Sequence, residues 1–178
     1  MNHDAGHARS RPAPAVRHRH PARWRAGLVV LVAAVALAAP ATASPPEHGG
    51  LPETTLEVGD RELTVELAAD DASRSQGLMF REALADDRGM LFIWDTPDRR
   101  AMWMRNTLIP LDVAFIDGDG EITNIETMAP ETTRLHWSVA PIEYALEVNA
   151  QWFAQHGIEA GDRIPGLDAA RQEAARGR

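Results

Sequence analysis

The chain has 178 residues, no cysteine and no lysine, and carries 18 basic against 26 acidic side chains, a formal charge of −8. Lack of cysteine excludes disulfides, thiolate nucleophiles and thiolate metal sites, and the acidic balance argues against nucleic acid and anionic membrane surfaces as partners. Once a targeting segment is set aside, the length suits one domain.

That segment comes first. Residues 1–26 hold six arginines and one acid, Asp4, and a 13-residue apolar run from Gly27 to Ala39 leads into small residues ending at Ala43. This is the order of a secretory signal peptide over residues 1–43. A bilayer span needs about 20 apolar residues, so a stable anchor is the poorer reading. No paired arginine precedes the apolar run, which points to the general secretory route and a periplasmic or extracellular location. Residues 44–178 keep twelve arginines and 25 acids, a charge of −13. Residues 44–53, rich in Pro and Gly, read as a flexible tether.

The globular domain is expected over 54–166. Leu56 and Val58, then Leu63, Val65 and Leu67, alternate with polar residues around Gly59-Asp60, which predicts a hairpin. Asp70 and Asp71 offer an N-cap for a short helix that Gly77 ends. Gly89 to Trp94 reads as a strand buried on both faces, followed by a turn at Asp95–Asp98 around Pro97. Met102 to Arg105 predicts a short strand with Met102 and Met104 on one face, Trp103 and Arg105 on the other. Leu111–Asp117 and Glu121–Thr127 form a hairpin across Asp117-Gly118-Asp119-Gly120. Pro130–Pro141 has no period and reads as a loop containing His136-Trp137. Tyr144–Val148 is a strand, with Asn149 as N-cap of a short helix that carries Trp152 and Phe153. Ile158–Ile164 closes the domain, and 167–178 reads as a flexible or weakly helical tail. Together these predict a mainly β, α+β single domain, a small antiparallel barrel or sandwich.

Read in order, Gly77-Leu78-Met79-Phe80-Arg81, Gly89-Met90-Leu91-Phe92, Trp103-Met104-Arg105-Asn106-Thr107, Pro110-Leu111-Asp112 and Tyr144-Ala145-Leu146-Glu147-Val148 resemble one family. It is the exported family catalogued as domain of unknown function 192, and the resemblance covers Leu56 to Ile164. It implies a compact, mainly β domain outside the cytoplasm, with no established activity. The family often has Lys at the place of Arg105, and usually a Gly in the turn where this chain has Asn149-Ala150-Gln151.

Asp112 interrupts an apolar strand, and a carboxylate there needs a partner. Arg81 and Arg105 are the expected ones, because guanidinium binds carboxylate bidentately. Asn106 and Glu147 could join them beside Trp103, so Arg81, Trp103, Arg105, Asn106, Asp112 and Glu147 form the candidate ligand site. Such a set suits a small molecule, a peptide or an envelope protein. Two rivals stand beside it. Met102, Met104 and His136, with Met79, Met90 and Met128 in reserve, are a thioether–imidazole set suited to Cu(I), although methionines also fill core gaps. Asp112 and Glu147 could instead serve a hydrolase or lyase as a carboxylate pair. Asp117-Gly118-Asp119-Gly120-Glu121 resembles a calcium loop, but its twelfth position is Met128, so a hairpin turn explains it better. The preferred reading is an exported binding or accessory domain without a cofactor, not a self-sufficient enzyme.

Overall fold

A computed structural model describes residues 50–177; the expected leader and most of the tether lie outside the described residues. β1 (Glu53–Val58) and β2 (Arg61–Ala68) form the predicted hairpin. Gly59 turns it at φ 64°, a left-handed conformation that glycine adopts without the Cβ clash of other residues. Leu56, Val58, Leu63 and Val65 are buried, while Glu57, Arg61 and Glu62 face solvent.

Asp70 then starts α1 (Asp71–Gln76). Its Oδ1 accepts the N–H groups of Ala72 and Ser73 at 2.9 Å each, and Ser73 Oγ accepts the Asp70 N–H at 3.1 Å. These bonds satisfy donors that a helix start leaves unpaired. The bond from the Ser73 N–H contributes most to holding the Asp70 carboxyl below its usual range.

β3 (Arg88–Asp98) runs parallel to β2, which requires a crossover, and the segment containing α1 supplies it. The run Gly89–Ile93 is buried on both faces as expected. The turn predicted at Asp95–Asp98 is instead a continuation of β3, whose register against β8 (Ile142–Asn149) shifts between Ile93 and Asp98. That irregularity accommodates Pro97, which has no N–H for a regular ladder.

The main sheet has the order β1-β2-β3-β8-β5-β6, with β5 at Leu111–Ile116 and β6 at Ile122–Met128. All its neighbours are antiparallel except β2 and β3. The chain is thus mainly β with short helices, but the expected antiparallel barrel is corrected to an open mixed sheet edged by β1 and β6. A second ribbon pairs β4 (Ala101–Met102) with β7 (His136–Trp137), so His136-Trp137 is not loop. The predicted strand at Met102–Arg105 stops at Met102. Its alternation survives in burial, since Met102 and Met104 are buried while Trp103 and Arg105 are exposed.

Each sheet face has its own cover. Leu63, Leu91, Ala114, Leu146 and Val148 pack with α2 (Trp152–Gln155) and α3 (Leu167–Arg176) in one apolar cluster. The segment expected as a weak tail is therefore a docked helix. It buries Leu167, Ala170 and Ala174, and Arg171 donates to Trp94 O at 2.7 Å and Tyr144 Oη at 3.0 Å. Asn149 does not cap α2; it ends β8 and donates to Leu84 O at 2.9 Å. The cap position is Gln151, left-handed at φ 68°. On the opposite face Met90, Phe92, Val113, Phe115 and Ala145 pack with Leu78, Met102 and Met104. No described helix is long and apolar enough to cross a membrane.

Candidate binding cleft

Side chains alternate along β8. Leu146 and Val148 enter the α3-side cluster, so Ala145 and Glu147 point to the other face. Glu147 stands opposite Met90 on one side and Val113 on the other, and the same row continues to Glu66 on β2 and Glu126 on β6. Three acids thus share one row of a largely apolar face. Glu66 is 2% exposed and both its oxygens accept from Arg81 Nη2 at 2.6 Å. Glu126 Oε2 lies 3.4 Å from His136 Nδ1. Glu147, 3% exposed, takes no hydrogen bond or ion pair from any described residue. Burial pushes its carboxyl up to about 8, because a dry surrounding penalises the anion. That shift favours the uncharged acid at neutral pH.

Glu147 lines a small cleft of about 20 Å³ whose other walls come from three further stretches of the chain. The end of α1 and the turn after it give Arg74, Gln76, Gly77, Leu78 and Met79; the sheet gives Phe92; the segment after β4 gives Met102, Trp103 and Thr107. Arg74 is already engaged, donating to Asp71 Oδ1 at 2.5 Å and Ile93 O at 2.8 Å. Two non-glycine residues beside the cleft are left-handed: Phe80 at φ 64° and Asn106 at φ 57°. The Phe80 N–H donates to Asn106 O at 2.7 Å, which ties these two turns together. Each costs on the order of 1 kcal/mol. They leave Phe80 63% and Trp103 41% exposed, with the Arg105 guanidinium 5.7 Å from the Trp103 ring centre.

The six predicted site residues do not form one cluster. Asp112 shares the α3-side face with Ala114, and its Oδ1 accepts from Thr127 Oγ1 at 2.7 Å. Its expected ion pairs are corrected, since Arg81 binds Glu66 across the sheet and Arg105 lies over Trp103. The carboxylate pair is corrected too, because Asp112 and Glu147 occupy opposite faces. Trp103 and Glu147 line the cleft, and Asn106 stands next to its wall, with Nδ2 3.9 Å from Met79 Sδ. The cleft residues Gln76, Leu78 and Phe92 were not anticipated as site residues, and Met79 only as a reserve metal ligand. The available signal was Glu147 itself, which breaks an apolar run as plainly as Asp112 does.

Of the copper set, Met102 lies opposite His136 across the small ribbon, and Met90, Met104 and Met128 are buried in the same apolar cluster. No group of three His, Asp or Glu that could hold a metal occurs among the described residues. The Asp117–Glu121 segment is a turn, in which Asp117 Oδ1 accepts the N–H groups of Asp119 and Glu121 at 2.9 Å each.

No curated protein matches the chain. Several solved structures do, among them the following two. A protein of Sinorhizobium meliloti 1021 (R01717), described as a candidate transcription regulator, is 40% identical with a TM-score of 0.59, over 64% of this chain and 91% of that one. A protein of unknown function from Novosphingobium aromaticivorans DSM 12444 is 35% identical with a TM-score of 0.61, over 69% of this chain and 93% of that one. The family model DUF192, described as Uncharacterized ACR, matches residues 54–166, which span every strand from β2 to β8. The chain belongs to the DUF192 family.

Proposed function

We propose that this protein is an exported ligand-binding or accessory module whose ligand enters the cleft above Glu147. One observation carries the reading: a buried acid without a partner at an open cleft. Such a group costs stability, and a fold that keeps one has put it to use more often than an arbitrary surface has. Trp103 and Phe92 supply the aromatic wall, and Glu147 and Thr107 the polar contacts, that a small-ligand pocket combines. The apolar leader over Gly27–Ala39 supports export, and the charge of the remaining chain disfavours nucleic acid.

Bound Cu(I) is the second reading, favoured by Met102 lying opposite His136 beside three further buried methionines. Native mass spectrometry of the protein released from its own compartment tests both. The ligand reading expects an organic mass bound to the wild type and lost in Glu147→Gln. A copper mass that survives that substitution supports the second reading, and a bare protein in both samples overturns each.

A further inference from the structure

The row of acids that runs through Glu147 has two members with cationic partners or neighbours and one without. Arg81 answers Glu66, and His136 stands beside Glu126. Glu147, two strands from each, has no such group, although its side chain is as buried as that of Glu66. An open cleft lies over it. We propose that the missing partner comes from outside, and that the cleft takes a primary ammonium at the end of an unbranched alkyl stem, seated on Glu147 against Trp103. This names the ligand class for the cleft assigned above and rests on that assignment.

The walls fit such a group. At about 20 Å³ the cleft has room for one group the size of a water molecule, so it admits the ammonium head while the stem lies along its open mouth. Met79, Met102 and Phe92 offer apolar surface to a methylene stem, and Trp103 offers a ring face to the charge. The last turn of α1 adds the partial negative charge of its carbonyl ends. Arg74, the one cation in the wall, is paired with Asp71. The excess of acids across the domain draws cations towards it.

Binding of this kind displaces a proton. The Glu147 O–H gives its proton to solvent, the ligand stays an ammonium ion, and a carboxylate–ammonium pair forms. The groups packed around Glu147 are mostly apolar. β3 and β5 present Met90, Phe92 and Val113, α1 presents the paired Arg74, and the Arg81–Glu66 and His136–Glu126 pairs stand two strands away on either side.

The test is calorimetric titration of the purified protein with 1,4-diaminobutane, Nα-acetyl-lysine methylamide and 1,4-butanediol, at pH 6 to 9 and in two buffers of different ionisation enthalpy. At least one amine binds, about tenfold more tightly at pH 7 than at pH 6, with the gain levelling off above pH 8. Close to one proton is released per ligand at pH 6.5, and Glu147→Gln, with its fold checked by circular dichroism, loses at least tenfold in affinity. Preference for the diamine identifies a free amine as the source; preference for the lysine derivative identifies a protein side chain. Diol binding equal to amine binding, or amine binding that Glu147→Gln leaves unchanged, overturns the ammonium assignment while leaving the cleft as a site. No response to any probe, alongside an organic mass in the native spectrum, does the same. No response together with a bare protein removes both.

Discussion

Glu147→Gln isolates the energetic consequence of the buried acid. In the folded protein its carboxyl holds a proton up to about pH 8, against an ordinary value of 4.5 when the chain is unfolded. The folded state therefore binds one more proton between those values. Because the folded value is raised, the contribution is fully present below pH 4.5 and is lost as pH rises towards 8. The loss is about 1.4 kcal/mol per pH unit, so the window corresponds to roughly 3 to 5 kcal/mol. Glutamine keeps the shape and never ionises, so it escapes this loss. Urea denaturation of both proteins from pH 4.5 to 9 reads the effect as a difference, in which other titrating groups cancel. The stability of Glu147→Gln relative to wild type should climb steadily across the window and flatten above pH 8. A difference that stays level with pH would refute the reasoning, because it would mean that Glu147 ionises alike in both states.

Substitutions at three further places test the frame of the fold. Glu66→Ala removes the carboxylate from the buried Arg81 guanidinium and should cost about 3 to 5 kcal/mol, whereas Glu66→Leu combined with Arg81→Met should recover most of that loss; denaturant midpoints compare them. Gly89→Ala places a Cβ 2.7 Å from Glu147 O, a backbone atom of the neighbouring strand, and should cost about 1 to 3 kcal/mol in the same assay. Gln151→Gly relieves a left-handed residue before α2 and should raise the thermal midpoint, by an amount corresponding to at most about 1 kcal/mol; an unchanged or lower midpoint would show that the Gln151 side chain compensates for its backbone.

Local chemistry made much of the fold legible. Gly59-Asp60 marked the first hairpin, Asp70 the start of α1, and the run from Gly89 the buried strand. The parallel pairing of β2 with β3 was not legible, because alternation along each strand says nothing about which strand lies beside it. α3 was legible only as a weak tail, for a different reason. Leu167, Ala170 and Ala174 form a narrow stripe of small side chains amid charged residues, so its docking depends on the sheet surface that receives it.

The site was half legible for a related reason. Asp112 and Glu147 look alike in sequence, each a single acid within an apolar strand. Parity places Asp112 with Ala114 and Glu147 with Ala145. Only the register of β5 against β8, which sets Val113 rather than Asp112 opposite Glu147, shows that the two acids face apart. Arg81 was expected to pair with Asp112, and it pairs with a different carboxylate. Its partner, Glu66, lies in the alternating hairpin strand, where a polar position carries no sign of burial.

The most direct test of the cleft as a ligand site is the carboxyl-carbon NMR signal of Glu147 in protein labelled with carbon-13 glutamate. The signal is identified by its absence from Glu147→Gln. At pH 7 the account predicts a protonated acid in the free protein and a carboxylate when 1,4-diaminobutane is bound. A signal already ionised in the free protein at pH 7 and unmoved by the amine would contradict it.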